Sequence, residues 1–106
     1  MASSQEYLDF IIEQLDTLDD ISFRKMMGEY ILYFRGKIFG GIYDDRFLVK
    51  ITKASRHLML EAIEELPYDG SKPMLWVEDV DNKEFLYQLI TKMYEELPAP
   101  KIKKKK

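Results

Sequence analysis

Apolar residues recur at the spacing of an amphipathic helix in three stretches of the chain. The first covers residues 4–18 and is opened by residues 3–6 (SSQE), which are typical of a capping box. The second covers residues 53–66 and stops at Pro67, because proline cannot continue a helix. The third covers residues 81–97, and we predict that Asp81 caps its start. The sequence therefore predicts three helices.

Between the first and second helices, the apolar residues change to the alternation that is typical of β-strands. The predicted strands are residues 22–27, 29–35, 38–43 and 74–78, with residues 47–52 as a further strand if Gly28 separates the first two. The connections at residues 35–37 and 44–46 contain glycine and aspartate, which suit tight turns. Such short connections force neighbouring strands to be antiparallel.

The order of these elements, α, β meander, α, β, α, indicates an α+β fold in two layers, with three helices packed on one face of an antiparallel sheet. A chain of 106 residues buries roughly 65% of the surface that its unfolded form exposes. It needs no disulfide to hold a core, and the absence of cysteine fits a reducing, cytoplasmic setting. We predict one domain over residues 1–100 and a disordered lysine-rich tail at residues 101–106.

The charge of the chain is divided between an acidic body and this basic tail. The net charge is −3, from 16 basic and 19 acidic residues. The basic residues of the tail are Lys101, Lys103, Lys104, Lys105 and Lys106. Without these five, residues 1–100 hold 11 basic and 19 acidic residues, a net charge of −8. The tail predicts weak, unspecific binding to nucleic acid, because the acidic body repels the same polyanion. No apolar run approaches the ~18 residues of a membrane span, so no membrane partner is expected.

The sequence carries no recognisable set of catalytic, metal-binding or cofactor-binding residues. Cysteine is absent and histidine occurs once, which removes the usual zinc ligands. We predict that this histidine, His57, lies on the solvated side of the second helix and is not a catalytic base. The five glycines form no phosphate-binding loop. We therefore expect no enzyme activity and no cofactor.

Two features predict a surface for contact with another protein. The strand at residues 29–35 has apolar side chains on both faces, including Tyr33, whereas a sheet with one face in water alternates more cleanly. Either the helices cover more than one face, or the second face meets a partner, for which a homodimer is one hypothesis. In the next strand, Gly40 and Gly41 indicate a bulge or a close approach of another backbone. They leave room for an aromatic ring or a helix, or for a bound peptide or ligand.

The stretch from Phe23 through Ile51 resembles a known bacterial family. Residues 24–30 (RKMMGEY) are similar to an R-x-M-F-G-G-Y segment, residues 32–39 (LYFRGKIF) to L-Y-x-x-G-x-x-F, and residues 44–50 (DDRFLVK) to D-x-x-L-Y-L-K. These segments are characteristic of the N-terminal domain of the TfoX (Sxy) competence regulators. The chain differs from the family pattern at Met27 and Glu29, where phenylalanine and glycine are more frequent.

The resemblance implies a stand-alone form of this domain, with a fold similar to the secretion chaperones and no enzymatic activity. It implies a regulatory or adaptor function that acts through protein contacts. The predicted interaction surface comprises Arg24, Met26, Gly28, Tyr33, Gly40 and Gly41. For the first three residues the alternative is structural, namely an arginine paired at a strand end, a methionine in the core and a glycine at a bulge.

Overall fold

The computed structural model describes residues 4–26, 28–67 and 70–98. The elements in chain order are α1 (Gln5–Gln14), β1 (Ile21–Met26), β2 (Glu29–Phe34), β3 (Lys37–Tyr43), β4 (Arg46–Val49), α2 (Lys53–Leu58), β5 (Glu64–Glu65), β6 (Met74–Trp76) and α3 (Lys83–Tyr94). The strands form one sheet in the order β1-β2-β3-β4-β6-β5, and every neighbouring pair is antiparallel. The predicted α+β class is confirmed.

The core lies between one face of the sheet and the helices α1 and α3. The helices contribute the buried residues Leu8, Ile11, Leu86, Leu89, Ile90 and Met93. The strands contribute Tyr30, Leu32, Phe34, Phe39, Ile42, Phe47, Val49 and Leu75. Because side chains alternate along a strand, the residues between these point to the opposite face, which we call the second face. The predicted apolar stripes of the first and third helices are therefore the surfaces that build the core.

Tight turns join the first four strands. Gly28 has a φ of 84° in the turn after β1, so it separates β1 from β2, and the prediction of four strands in this region is confirmed. Asp44 and Asp45 both have positive φ, at 54° and 57°, between β3 and β4. Two successive positive φ values are typical of the turn that matches the twist of a hairpin. Met27 lies outside the described residues.

The predicted second helix is wrong beyond its first turns. The helix α2 ends at Leu58, and the chain then turns and adds the short strand β5 to the sheet. The Trp76 N–H donates to the Ile63 carbonyl oxygen at 2.9 Å, and Arg46 pairs with Glu65 at 2.6 Å. Ile63 and Leu66, the last apolar residues of this segment, are 51% and 49% exposed, so the end of a continued helix has no core against which to bury them. Pairing with β6 satisfies the backbone of this segment instead.

The predicted starts of the other two helices need smaller corrections. Ser4 caps α1 by accepting a hydrogen bond from the Tyr7 N–H at 3.1 Å, and α1 ends at Gln14 rather than at residue 18. Asn82, not Asp81, caps α3 by accepting from the Phe85 N–H at 3.1 Å. In both cases the cap lies one residue away from a second residue that is equally able to cap, so the sequence alone does not fix the register.

The start of α2 is held by a side chain that lies two residues beyond the end of α3. The carboxylate of Glu96 accepts hydrogen bonds from the N–H groups of Lys53 and Ala54 at 2.9 and 3.0 Å. A carboxylate at a helix N-terminus satisfies free N–H groups and interacts favourably with the helix dipole.

We expect Glu96→Ala to lower the free energy of unfolding by about 1 kcal/mol, because two N–H groups of α2 lose their acceptor. Urea unfolding measures the change. The matched control is Glu95→Ala, which removes an exposed carboxylate from the neighbouring position and is expected to change stability by less than about 0.5 kcal/mol. Equal losses in the two variants would show that Glu96 does not hold α2.

The start of α1 also lies against the turn between β3 and β4. The Ser4 N–H donates to Asp45 Oδ1 at 2.9 Å. Burial, and then the negative charge of Asp45, raise the pKa of the Tyr7 phenol above its ordinary value of 10.0. The folded state therefore holds the proton of Tyr7 more tightly than the unfolded chain does.

It follows that part of the stability is present below pH 10.0 and is lost as the pH rises through the folded-state pKa of Tyr7. We expect Tyr7→Phe to lose less stability than the wild type over this interval, because phenylalanine does not ionise. Asp45→Asn removes the charge of Asp45 but leaves Tyr7 buried. Its loss of stability over this interval is therefore expected to lie between that of the wild type and that of Tyr7→Phe. Urea unfolding on both sides of this pH measures the difference, and identical pH profiles would contradict it.

Candidate functional site

The strand β1 forms one edge of the sheet, where β2 is its partner. Five of its six residues, Ser22–Met26, are exposed. Two of these are large and apolar, since Phe23 is 48% exposed and Met26 is 47% exposed. An edge strand presents unpaired backbone N–H and C=O groups, and apolar side chains beside them favour pairing with another chain. We call residues 22–26 the edge site.

The two faces of the edge site differ in chemistry. The ring of Phe23 lies on the side of α1 and α3 and contacts the Tyr30 ring edge to face, at a centroid distance of 6.0 Å. Arg24 and Met26 lie on the second face, because Arg24 pairs with Ile31 and Met26 with Glu29. The edge site therefore offers an aromatic ring with the ammonium of Lys25 on one face and a guanidinium with a thioether on the other.

The structural alternatives for Arg24 and Met26 do not describe this geometry. Among the described residues no hydrogen bond or ion pair involves the side chain of Arg24, which is exposed rather than paired at a strand end. Met26 lies outside the core at 47% exposure. Gly28 adopts positive φ in a hairpin turn rather than in a bulge. Arg24 and Met26 therefore do not have the paired and core positions that the structural alternative predicts.

Several of the predicted surface residues share the second face. Tyr33 pairs with Ser22, two residues before Arg24, and is half-buried. Ile31 lies between Arg24 and Gly41 in one row across β1, β2 and β3. Since neighbouring strands are about 4.8 Å apart, Arg24 and Gly41 are roughly 10 Å apart in this row.

The two glycines of β3 are buried and are enclosed by the protein itself. A Cβ at Gly41 would lie 2.7 Å from the ring of Tyr43 and 2.6 Å from the Tyr30 carbonyl oxygen. A Cβ at Gly40 would overlap the Leu48 carbonyl oxygen and lie 2.9 Å from Val49 Cα. The pairing of β2 with β3 also shifts at this point. Close packing of an aromatic ring and a backbone accounts for both glycines, as one of the two interpretations of the sequence predicts.

The described residues were predicted to hold no metal site. They contain no group of three or more histidine, cysteine, aspartate or glutamate side chains able to hold a metal ion. His57 is exposed in the last turn of α2, as predicted. Within the same residues, none of the helices is long and apolar enough to cross a bilayer. The lysines of residues 101–106 lie outside the described residues, so nucleic-acid binding by the tail stays a prediction.

The two tyrosines that flank the apolar face of α3 differ in how far they are packed against the rest of the protein. Tyr94 packs edge to face on Phe34 at 5.3 Å and has the ammonium of Lys37 over its ring at 4.1 Å. Tyr87 is 46% exposed and lies in the middle of α3. Tyr94 is thus part of the packing at the sheet, and Tyr87 is an exposed aromatic residue similar in accessibility to Phe23.

A comparison with known protein families gives a match over most of the elements described above. The family profile described as the TfoX N-terminal domain matches residues 13–96, which run from the last two residues of α1 through α3. The chain belongs to the TfoX N-terminal domain family. The most distinctive motif of this TfoX N-terminal domain, residues 24–30, covers the last three residues of the edge site, the turn at Gly28 and the start of β2.

A curated relative has nearly the same extent. An "uncharacterized 12.7 kDa protein in trpE 5'region" from Spirochaeta aurantia is 33% identical over 108 residues, which cover 100% of this chain and 93% of that protein. No solved structure gives a significant match. The family assignment therefore rests on the sequence profile.

Sequence reasoning did not find Phe23 as part of the edge site. The residue precedes the family motif, and in the sequence an aromatic residue in a strand is more often part of the core. The sequence does contain one signal, which is the position of Lys25. The alternation of side chains along β1 places this lysine on the core-facing side of the strand. A buried strand rarely places a lysine there, so this position indicates that β1 extends beyond the helices.

Proposed function

We propose that this TfoX N-terminal domain is a noncatalytic regulatory or adaptor domain that binds a partner protein through the edge site. The observation that carries the proposal is the exposure of an unpaired edge strand with two half-exposed apolar side chains, Phe23 and Met26. Native edge strands are commonly short, bulged or covered, because an open edge recruits other chains. An edge of six residues with apolar side chains suits recruitment by strand addition.

The charge of the edge site indicates the chemistry of the partner. Arg24 and Lys25 are adjacent and exposed, and no ion pair involves them among the described residues. They form a local basic patch on a body whose net charge is −8 over residues 1–100. The partner segment is therefore an extended strand with acidic and apolar side chains, since complementary charge selects partners and speeds association.

A second copy of the chain fits the edge site less well. Antiparallel pairing of β1 with itself places the basic residues of both copies near the two-fold axis, at the centre of a six-residue strand. Like charges that face each other across a strand pair are unfavourable. The homodimer hypothesis therefore becomes the alternative outcome of the experiment on the edge site.

A noncatalytic role agrees with the family and with the site. The TfoX N-terminal domains are noncatalytic, and the described residues contain no group of three or more histidine, cysteine, aspartate or glutamate side chains able to hold a metal ion. The composition without cysteine supports a reducing, cytoplasmic location for the interaction. The domain then acts by holding a partner rather than by transforming a substrate.

Site-specific photo-crosslinking in cells of the source organism tests the proposal. A photoreactive phenylalanine analogue replaces Phe23 in one protein and Tyr87 in a matched control, since the two side chains are 48% and 46% exposed. We expect a discrete adduct from position 23 alone, in which mass spectrometry finds an acidic, extended segment of another protein. Equal adducts at both positions, no adduct at position 23, or adducts only between copies of this chain would contradict the heterologous interaction.

A further inference from the structure

A cleft of about 580 Å³ opens on the second face, two strands away from β1. Its walls come from β3, from the residues that follow β4, and from the residues that lead into β6. Pockets for small ligands in proteins typically measure about 300–1,000 Å³. The cleft is therefore large enough for a small molecule, and its position separates it from the edge site.

Most of the cleft wall is apolar. The apolar side chains that line it are Ile38, Ile51, Pro67, Pro73 and Met74. Gly40 lies in the wall without a side chain, so backbone forms part of the surface there. Such a wall favours an apolar body in the ligand, because burial of apolar surface on both sides removes it from water.

The charged residues of the wall are both lysines. Lys50 is half-buried and Lys72 is exposed, and among the described residues neither forms an ion pair. Burial, and then the positive charge of Lys72, lower the pKa of the Lys50 ammonium below its ordinary value of 10.5. The two cations are thus close enough to repel each other. An anion between them would offset both the burial of Lys50 and this repulsion.

We propose that this cleft binds a small organic anion with an apolar body and a single carboxylate or phosphate head group that contacts Lys50 and Lys72. The lysines supply the charge that orients the head group, and the apolar wall holds the body. An inorganic anion would leave the wall uncovered, and a neutral molecule would leave the lysines uncompensated. This site does not depend on the proposed interaction at β1.

An NMR titration of the full chain with four probes separates the two contributions. Hexanoate and hexyl phosphate carry both a body and a head group, hexanol carries the body alone, and inorganic phosphate carries the charge alone. We expect saturable shifts of the amide signals of Ile38, Gly40 and Lys50 with the first two probes. Binding of hexanol and of inorganic phosphate is expected to be at least about tenfold weaker, since a hydrogen bond to a charged group and apolar burial each contribute that much.

Three lysine substitutions provide the second part of the test. Lys50→Met and Lys72→Met remove a charge while keeping an unbranched side chain, and each is expected to weaken hexanoate binding about tenfold. Lys92→Met, on an exposed position of α3, is the matched control and is expected to leave the affinity unchanged. If Lys50→Met disturbs the spectrum of the free protein, the exposed Lys72 decides the outcome.

Three results would overturn the proposal. They are equal affinities for hexanoate and hexanol, shifts that map away from the cleft, and an unchanged affinity in the Lys72→Met protein. A failure here leaves the crosslinking experiment at Phe23 unaffected, because that experiment reads a different strand.

Discussion

Gly40→Ala is expected to lower the free energy of unfolding by about 3 kcal/mol, a large part of the stability of a domain of this size. The added Cβ would overlap the carbonyl oxygen of Leu48 and lie 2.9 Å from Val49 Cα. Both atoms belong to the backbone of β4, which is fixed by pairing with β3 on one side and β6 on the other. No rotation of a side chain relieves this overlap, so the strands themselves have to separate.

The matched control for this prediction is Gly70→Ala. Gly70 has a φ of 85° and no atom within 4 Å of the position that a Cβ would take. Alanine there meets only the conformational cost of positive φ, about 1 kcal/mol. Urea unfolding of the two variants therefore separates a steric cost from a conformational one. A loss at Gly40 no larger than the loss at Gly70 would show that β3 and β4 do not approach as closely as described.

Phe23→Glu is expected to weaken binding of the crosslinked partner at least about 100-fold, because an aromatic anchor at the centre of a contact commonly contributes 2 kcal/mol or more. The introduced carboxylate also repels an acidic partner segment. The free energy of unfolding is expected to change by only about 1 kcal/mol, since the exposed ring contacts Tyr30 at its edge. Isothermal titration with the peptide identified by crosslinking measures the affinity, and urea unfolding measures the stability.

Two further variants test the specificity of this result. Tyr87→Glu places the same charge on a similarly exposed aromatic position and is expected to leave the affinity unchanged. Arg24→Glu reverses one charge of the edge site and is expected to slow association more than it speeds dissociation, with an effect that decreases at high salt. If Tyr87→Glu weakens binding as much as Phe23→Glu does, the partner contacts α3 rather than β1.

The expected loss of binding depends on features that the sequence showed only in part. The family motif drew attention to Arg24 and Met26, but the structural alternative of a paired arginine and a core methionine was equally compatible with the sequence. The structure distinguishes them because both residues lie on the second face, where Met26 is 47% exposed and Arg24 forms no ion pair among the described residues. Whether a strand residue is exposed depends on which other elements pack over the strand, and the residues of the strand itself do not determine that.

The cleft shows the same limitation more strongly. Lys50 and Lys72 are 22 positions apart in the sequence, and no spacing rule connects them. They line one wall because β6 pairs with β4, which brings the residues before β6 beside those that follow β4. Long-range pairing of this kind is decided by the packing of the whole sheet, so the cleft could not be predicted from local pattern.

The segment after α2 illustrates how a local pattern can mislead. Residues 58–66 have apolar side chains at helical spacing, yet the chain forms a turn and the strand β5. Periodicity states which side chains share a face if the segment is helical, but it does not state whether a core exists to receive that face. Here β6 offers an unpaired edge, and hydrogen bonds to it replace the helix.

The sequence by itself determined the α+β class, the helices α1 and α3, the four-stranded meander and the membership in the TfoX N-terminal domain family. It did so because apolar periodicity, turn residues and motif segments are local properties of the chain. Only the tertiary structure decided that β1 is an open edge, that Gly40 and Gly41 are enclosed by protein atoms, and that two lysines share a cleft. Each of these depends on which distant residues lie beside a given residue, and that is fixed by packing of the complete fold.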